Sequence, residues 1–112
     1  MSRTRAQLVS KALSILQEEG SGQSLSSEDS ELVDAAVDPL VAELASSEVL
    51  VIGDLAAIDD DIFLPLARML ANEVGDDFGH PYSEDYRALQ ERRIKRVTAS
   101  SPTYAPQATD YF

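Results

Sequence analysis

The chain has 112 residues and a net charge of −11. That length makes one domain with room for a modest core. The charge argues against nucleic-acid binding by the body of the protein, because such affinity comes mostly from neutralising phosphates, and it argues equally against an anionic membrane surface. No apolar run approaches the length that spans a bilayer, and no signal peptide is read, since the basic start MSRTRAQ is not followed by an apolar stretch. There is no cysteine, so disulfides and thiolate chemistry are absent and the redox compartment stays open.

The charge is unevenly spread. Residues 21–80 carry Arg68 as their one basic side chain against a large acidic excess. Residues 81–112 carry Arg87, Arg92, Arg93, Lys95 and Arg96 against Glu84, Asp85, Glu91 and Asp110. The plain reading is a solvated acidic surface with helix-end cations that complement the dipole. The functional reading is a protomer whose acidic and basic faces meet different neighbours.

The first helix is predicted over Thr4 to Glu19. Thr4 and Gln7 stand at capping-box spacing. Leu8, Val9, Ala12, Leu13 and Leu16 make its apolar face, with Ile15 at the edge, and Gly20 suits its end. The Gly- and Ser-rich stretch that follows reads as a flexible loop, with Leu25 as a staple at the next helix entry. It is no phosphate cradle, because no Gly-Lys-Ser/Thr follows and the surroundings are acidic.

A second helix starts at Ser26 or Ser27, with Glu28, Asp29 and Glu31 near its positive end. Val33, Ala36, Val37, Leu40 and Leu44 form its stripe, and Leu32 widens it. Pro39 sits inside this pattern and bends the helix or breaks it in two. The helix ends near Ser46 or Ser47. Residues 48–52, EVLVI, read equally as a short strand in need of a partner and as a buried extended connector.

The most apolar sustained segment runs from Asp61 to Gly79. Ile62, Leu66, Met69, Leu70 and Val74 fall at helical spacing, and Phe63, Ala67 and Ala71 widen the stripe. The spacing predicts a central helix on which the others pack. Asp59, Asp60 and Asp61 suit its start, Pro65 lies near its first turn, and Gly75 or Gly79 stops it. After a turn at Gly79-His80-Pro81, Ser83 caps a last helix through about Val97. Its apolar positions, Tyr86, Leu89, Ile94 and Val97, make a thin stripe, so most of it is exposed until a neighbour covers it. From Thr98 to Phe112 the chain has two prolines and no helical period, and it reads as an extended or disordered arm.

The fold expected is therefore all-α: a small bundle of about four helices, with a short strand or hairpin and an extended C-terminal arm. Residues 1–97 are the helical domain and 98–112 the arm. No catalytic, cofactor-binding or metal-binding residue is assigned. His80, near Asp76 and Asp77, matches no metal-ligand spacing, and Asp59, Asp60 and Asp61 lack the alternation and glycine of a calcium loop. No nucleophile-elbow sequence supports a serine hydrolase, so an enzyme is not expected.

Thr4, Leu8, Val9, Ala12, Leu13 and Leu16 spell T-x-x-x-L-V-x-x-A-L-x-x-L. This opening resembles the head-to-tail connector proteins of tailed bacteriophages, above all the tail accessory or packaged-DNA stabilisation factors of short-tailed phages. Ala36 and Leu40 match the rhythm of their second helix. Leu70-Ala71 followed by Phe78-Gly79 matches their third. The resemblance covers nearly the whole chain, but its motifs are apolar positions and moderately specific. The segment between the second and third helices and the tail are both short for that group, so a compact adaptor of a long-tailed phage fits as well. The resemblance implies a structural virion protein at the neck, assembled in the host cytoplasm. It implies a ring, commonly of twelve copies, joined to the portal protein above and to a tail or neck protein below. DNA would pass through the channel without specific binding. The residues expected to bind the portal or a neighbouring subunit are Tyr104, Tyr111, Phe112, Arg92, Arg93 and Arg96. The competing class is a small acidic regulatory protein or inhibitor that occupies a basic partner surface.

Overall fold

The computed structural model describes residues 2–19 and 27–99. The element order is β1 (Ser2–Arg3), α1 (Arg5–Glu19), α2 (Ser27–Ser46), β2 (Ile58–Asp59), α3 (Asp60–Val74) and α4 (Glu84–Ala99), with a 3-10 turn at Gly75–Phe78 before α4. The expected all-α bundle of four helices is present. Gly20, Leu25 and Ser26, and the arm residues from 100 onward, lie outside the described residues.

α3 is the centre. Ile62, Pro65, Leu66, Ala67, Met69, Leu70, Ala71 and Val74 are all buried, which takes in most of the helix circumference. α1, α2 and α4 all pack on it. Leu8, Val9, Ala12 and Leu16 come from α1, and Val33, Val37, Leu40 and Leu44 from α2. α4 contributes Ile94 and, as the one buried polar residue among those described, Gln90. α4 lies mainly against α3, so it is the outlying helix of the bundle.

The helix ends follow local chemistry. The Thr4 N–H donates to Gln7 Oε1 at 2.8 Å and the Gln7 N–H donates to Thr4 Oγ1 at 3.2 Å, a reciprocal capping box. The Tyr86 N–H donates to Ser83 Oγ at 3.1 Å, which caps α4. α3 starts behind Asp59 without a side-chain cap bond, and Asp60 and Asp61 in its first turn favour the positive end of its dipole. α2 runs unbroken through Pro39. Pro39 and Ala35 are both exposed, so the carbonyl that loses its partner there can bond water. Pro65 falls in the second turn of α3, beyond the position where proline costs least, and the helix continues through it.

The structure decides two open alternatives and moves one boundary. Residues 48–52 are not a strand. The N–H groups of Val49 and Leu50 both turn back to the Leu44 carbonyl, at 2.9 and 3.3 Å, and the Glu48 N–H bonds Ala45 O. These donors close α2 and are unavailable to a ladder. Val49 is buried, Leu50 and Ile52 are half-buried and Glu48 and Val51 are exposed, so the segment is a connector anchored by Val49 rather than a wholly buried one. The strand pairing lies elsewhere. Ser2 pairs with Asp59 and Arg3 with Ile58, antiparallel, which ties the N-terminus to the entry of α3. Secondly, the α-helix of the central segment ends at Val74, and Gly75–Phe78 continues as a 3-10 turn. A Cβ on Gly75 would stand 2.8 Å from the His80 carbonyl oxygen, so this close approach requires glycine. Gly79 then takes φ +86°, the left-handed cap. Thirdly, α4 continues to Ala99, two residues into the expected arm. Thr98 is helical, and its hydroxyl donates to the carbonyls of Ile94 and Lys95.

Glu48 closes α2 with φ +60°. With its neighbours it forms a Schellman cap, in which the buried Val49 follows the left-handed residue. A side chain costs about 1–2 kcal/mol in that conformation, and glycine returns part of it as unfolded-state entropy. Glu48→Gly is therefore expected to stabilise the protein by about 0.5–1 kcal/mol in urea unfolding. A loss of stability would show that the Glu48 side chain makes an offsetting contact.

Candidate functional site

α4 is placed by its turn. The Asn72 side chain on α3 grips the backbone of Ser83 at both ends. Its Nδ2 donates to Ser83 O at 3.0 Å, and the Ser83 N–H donates to its Oδ1 at 3.1 Å. The Tyr82 N–H donates to Asp76 Oδ1 at 3.2 Å. The Tyr82 hydroxyl donates to Glu84 at 2.6 Å, and this bond, helped by partial burial, raises the phenol above the usual tyrosine pKa.

One turn further, Arg87 is the charged centre of the bundle. Its guanidinium pairs with Glu43 on α2, with Glu73 on α3 at 2.9 Å and with Glu91 on its own helix at 2.9 Å. Its side chain is only 11% exposed. Burial lowers the Arg87 pKa, but the three carboxylates outweigh it and raise it above the ordinary value. Three carboxylates on one cation leave two negative charges at this corner. The long helix α2 is tied to α1 in a similar way. Arg5 donates to Asp34 and to Asp38 at 2.8 Å each and to the Asp34 carbonyl at 2.9 Å. These bonds raise the Arg5 pKa. Arg3 pairs with Asp60 at 2.8 Å and stands 5.3 Å from the Phe63 ring centroid.

Beside the Arg87 cluster, α2 and α3 frame an open groove. Leu32, Ala35, Ala36, Pro39, Leu40 and Val74 line it, and Glu43, Glu73 and Asp77 rim it. Leu32 is 40% exposed there. This is an apolar floor with an acidic edge.

The sequence-assigned partner residues divide in two. Arg92, Arg93 and Arg96 lie along the C-terminal half of α4, Arg92 and Arg96 exposed and Arg93 half-buried. Lys95 joins them on the surface. Among the described residues, Arg92, Arg93 and Lys95 meet no carboxylate. Tyr104, Tyr111 and Phe112 lie outside the described residues. So the structure brings the assigned arginines together on one helix.

A second recess, of about 210 Å3, lies between α1, α3 and the turn before α4. It is lined by Ile15, Arg68, Ala71, Asn72, Gly75, His80, Pro81, Ser83 and Tyr86. Here the half-buried Arg68 and the single histidine both line the recess. Among the described residues no group of three or more His, Asp or Glu is placed to hold a metal ion, and no helix is long and apolar enough to cross a membrane.

Sequence reasoning missed Arg87 and Gln90. A signal existed for each. Arg87 and Glu91 stand at i,i+4 spacing, and Gln90 falls one turn before Ile94 in the apolar stripe. What was missing was the partner: Glu43 and Glu73 come from other helices.

Comparison with protein-family models, with curated proteins and with solved structures finds no match to this chain.

Two substitutions test this corner. Arg87→Met removes charge-assisted bonds to three carboxylates and is expected to destabilise by about 1–3 kcal/mol, with amide exchange in α4 accelerating most. Gln90 Oε1 is buried and meets no donor among the described residues. Gln90→Met keeps the length and removes that cost, so its urea midpoint is expected to rise by the equivalent of about 1 kcal/mol with an unchanged slope.

Proposed function

We propose that this protein is a head-to-tail connector of a tailed phage, a structural virion protein that forms a ring between portal and tail. The observation that carries the reading is charge self-complementarity. The groove of α2 and α3 presents an apolar floor with Glu43, Glu73 and Asp77 at its rim. The C-terminal half of α4 presents exposed Arg92 and Lys95, which meet no carboxylate among the described residues. These are two different patches of one molecule, so their pairing is head-to-tail, the arrangement that closes into rings when the rotation permits. The T-x-x-x-L-V-x-x-A-L-x-x-L opening adds the phage connector to the reading, with twelve copies as the number the resemblance implies. The acidic excess suits a channel wall, since attraction to phosphates would retard DNA passage.

The test is assembly. Alone at high concentration or with its portal, the protein is expected to enter a symmetric ring visible by electron microscopy. Arg92→Glu with Lys95→Glu should weaken each subunit contact about tenfold, taking roughly 0.7 kcal/mol per lost surface pair, and added salt should weaken the native ring in the same sense. A protein that stays monomeric or dimeric and ignores the portal, but binds one basic partner, would instead be the acidic inhibitor.

A further inference from the structure

The recess between α1, α3 and the turn before α4 has a cation that the fold does not use. Arg68 is the only basic residue between positions 21 and 80 of a chain with net charge −11. Elsewhere in the first three helices the arginines are spoken for: Arg5 by Asp34 and Asp38, and Arg3, just ahead of α1, by Asp60. Arg68 is half-buried and meets no carboxylate among the described residues. It lines a recess together with the apolar Ile15, Ala71 and Pro81 and the polar Asn72, His80 and Ser83. An arginine beside apolar side chains suits a carboxylate with a neighbouring aromatic ring, because arginine binds carboxylates in a planar fork while the ring fills the apolar space.

We propose that this recess receives the Asp110-Tyr111-Phe112 segment of this same protein, with the Asp110 carboxylate on Arg68 and an adjoining ring against Ile15, Ala71 and Pro81. Two observations choose this occupant. Asp110 is the single acidic residue from 98 to 112, and it stands directly before two aromatics. The reach is also sufficient. Tyr86, at the recess, and Ala99, at the end of α4, are separated by about 20 Å of helix at 1.5 Å per residue. Residues 100–109 span up to about 33 Å when extended. The segment can fold back along its own α4 or cross to an adjacent copy. The proposal deepens the reading of the arm as a docking element and rests on that part of it; ring formation is not required.

The chain's one histidine makes the test specific. His80 gives a single imidazole Cε1–H signal, and it sits on the recess wall. In the full-length protein, Asp110→Asn is expected to move that signal, and in the Arg68→Gln background the same change is expected to move it no further, because the carboxylate has lost its receptor. A dilution series assigns the source: an effect that fades on dilution comes from a second copy, and one that persists comes from the same chain. A His80 signal indifferent to Asp110→Asn would overturn the proposal, as would an equal shift in both backgrounds. Neither result touches the ring reading, which is judged by assembly with the portal.

Discussion

The bundle depends on α3 being covered. A helix that buries eight of its side chains, from Ile62 to Val74, has no wide solvent face of its own, so its neighbours must surround it. α1 and α2 are paired with each other and both lie on it. The short ladder of β1 with β2 draws the N-terminus to its entry. The glycine approach at Gly75 and the left-handed Gly79 reverse the chain, and the Asn72 amide delivers Ser83 to the start of α4. Each connection has the same consequence, which is to bring another apolar stripe onto α3 with its backbone groups satisfied.

An acidic chain must also manage its own repulsion. Here it does so by spending its few arginines at helix junctions. Arg5 joins α1 to α2 through two aspartates and a carbonyl, and Arg87 joins α4 to α2 through Glu43 and to α3 through Glu73, with Glu91 of its own helix as a third partner. Arginine suits the task because its planar fork donates in several directions at once. The glutamates and aspartates remain in surplus, and the corner around Glu43, Glu73 and Asp77 stays negative. Arg92, Arg93 and Lys95 toward the far end of α4 meet no carboxylate among the described residues. That asymmetry between a negative groove and a positive helix end is what the connector reading builds on.

α4 has the fewest fully buried side chains of the four helices. Its buried residues are Gln90 and Ile94, and Gln90 leaves an oxygen without a donor among the described residues. A helix held by ion pairs and two buried side chains separates more readily from its neighbours than one held by a full apolar stripe. On the connector reading, such a helix is the element able to adjust when a neighbouring subunit or portal covers it.

Much of this was written locally in the sequence. The period of Ile62, Leu66, Met69, Leu70 and Val74 announced the central helix, and the Thr4–Gln7 and Ser83 caps act within four residues of themselves, so spacing alone revealed them. The thin stripe of Tyr86, Leu89, Ile94 and Val97 predicted a last helix exposed on most sides, yet from residue 84 to 98 only Glu84, Asp85, Arg92, Lys95 and Arg96 are exposed, because α3 covers the half-buried flanks as well as the stripe. The candidate surfaces were half legible: Arg92, Arg93 and Arg96 were visible as a cationic cluster, whereas the recess of Arg68 and His80 was not. EVLVI has the composition of a strand, yet its first donors close α2, because a left-handed Glu48 and a buried Val49 satisfy the helix end better than an unpaired edge would. Arg87 looked like one more helix charge until Glu43 and Glu73 arrived from two other helices. Apolar period and capping are properties of a few neighbouring residues, so the sequence determined the helices and their inward faces. Which charges meet across helices and which cation lines a recess are properties of packing between segments distant in the chain, and only the tertiary structure decided them.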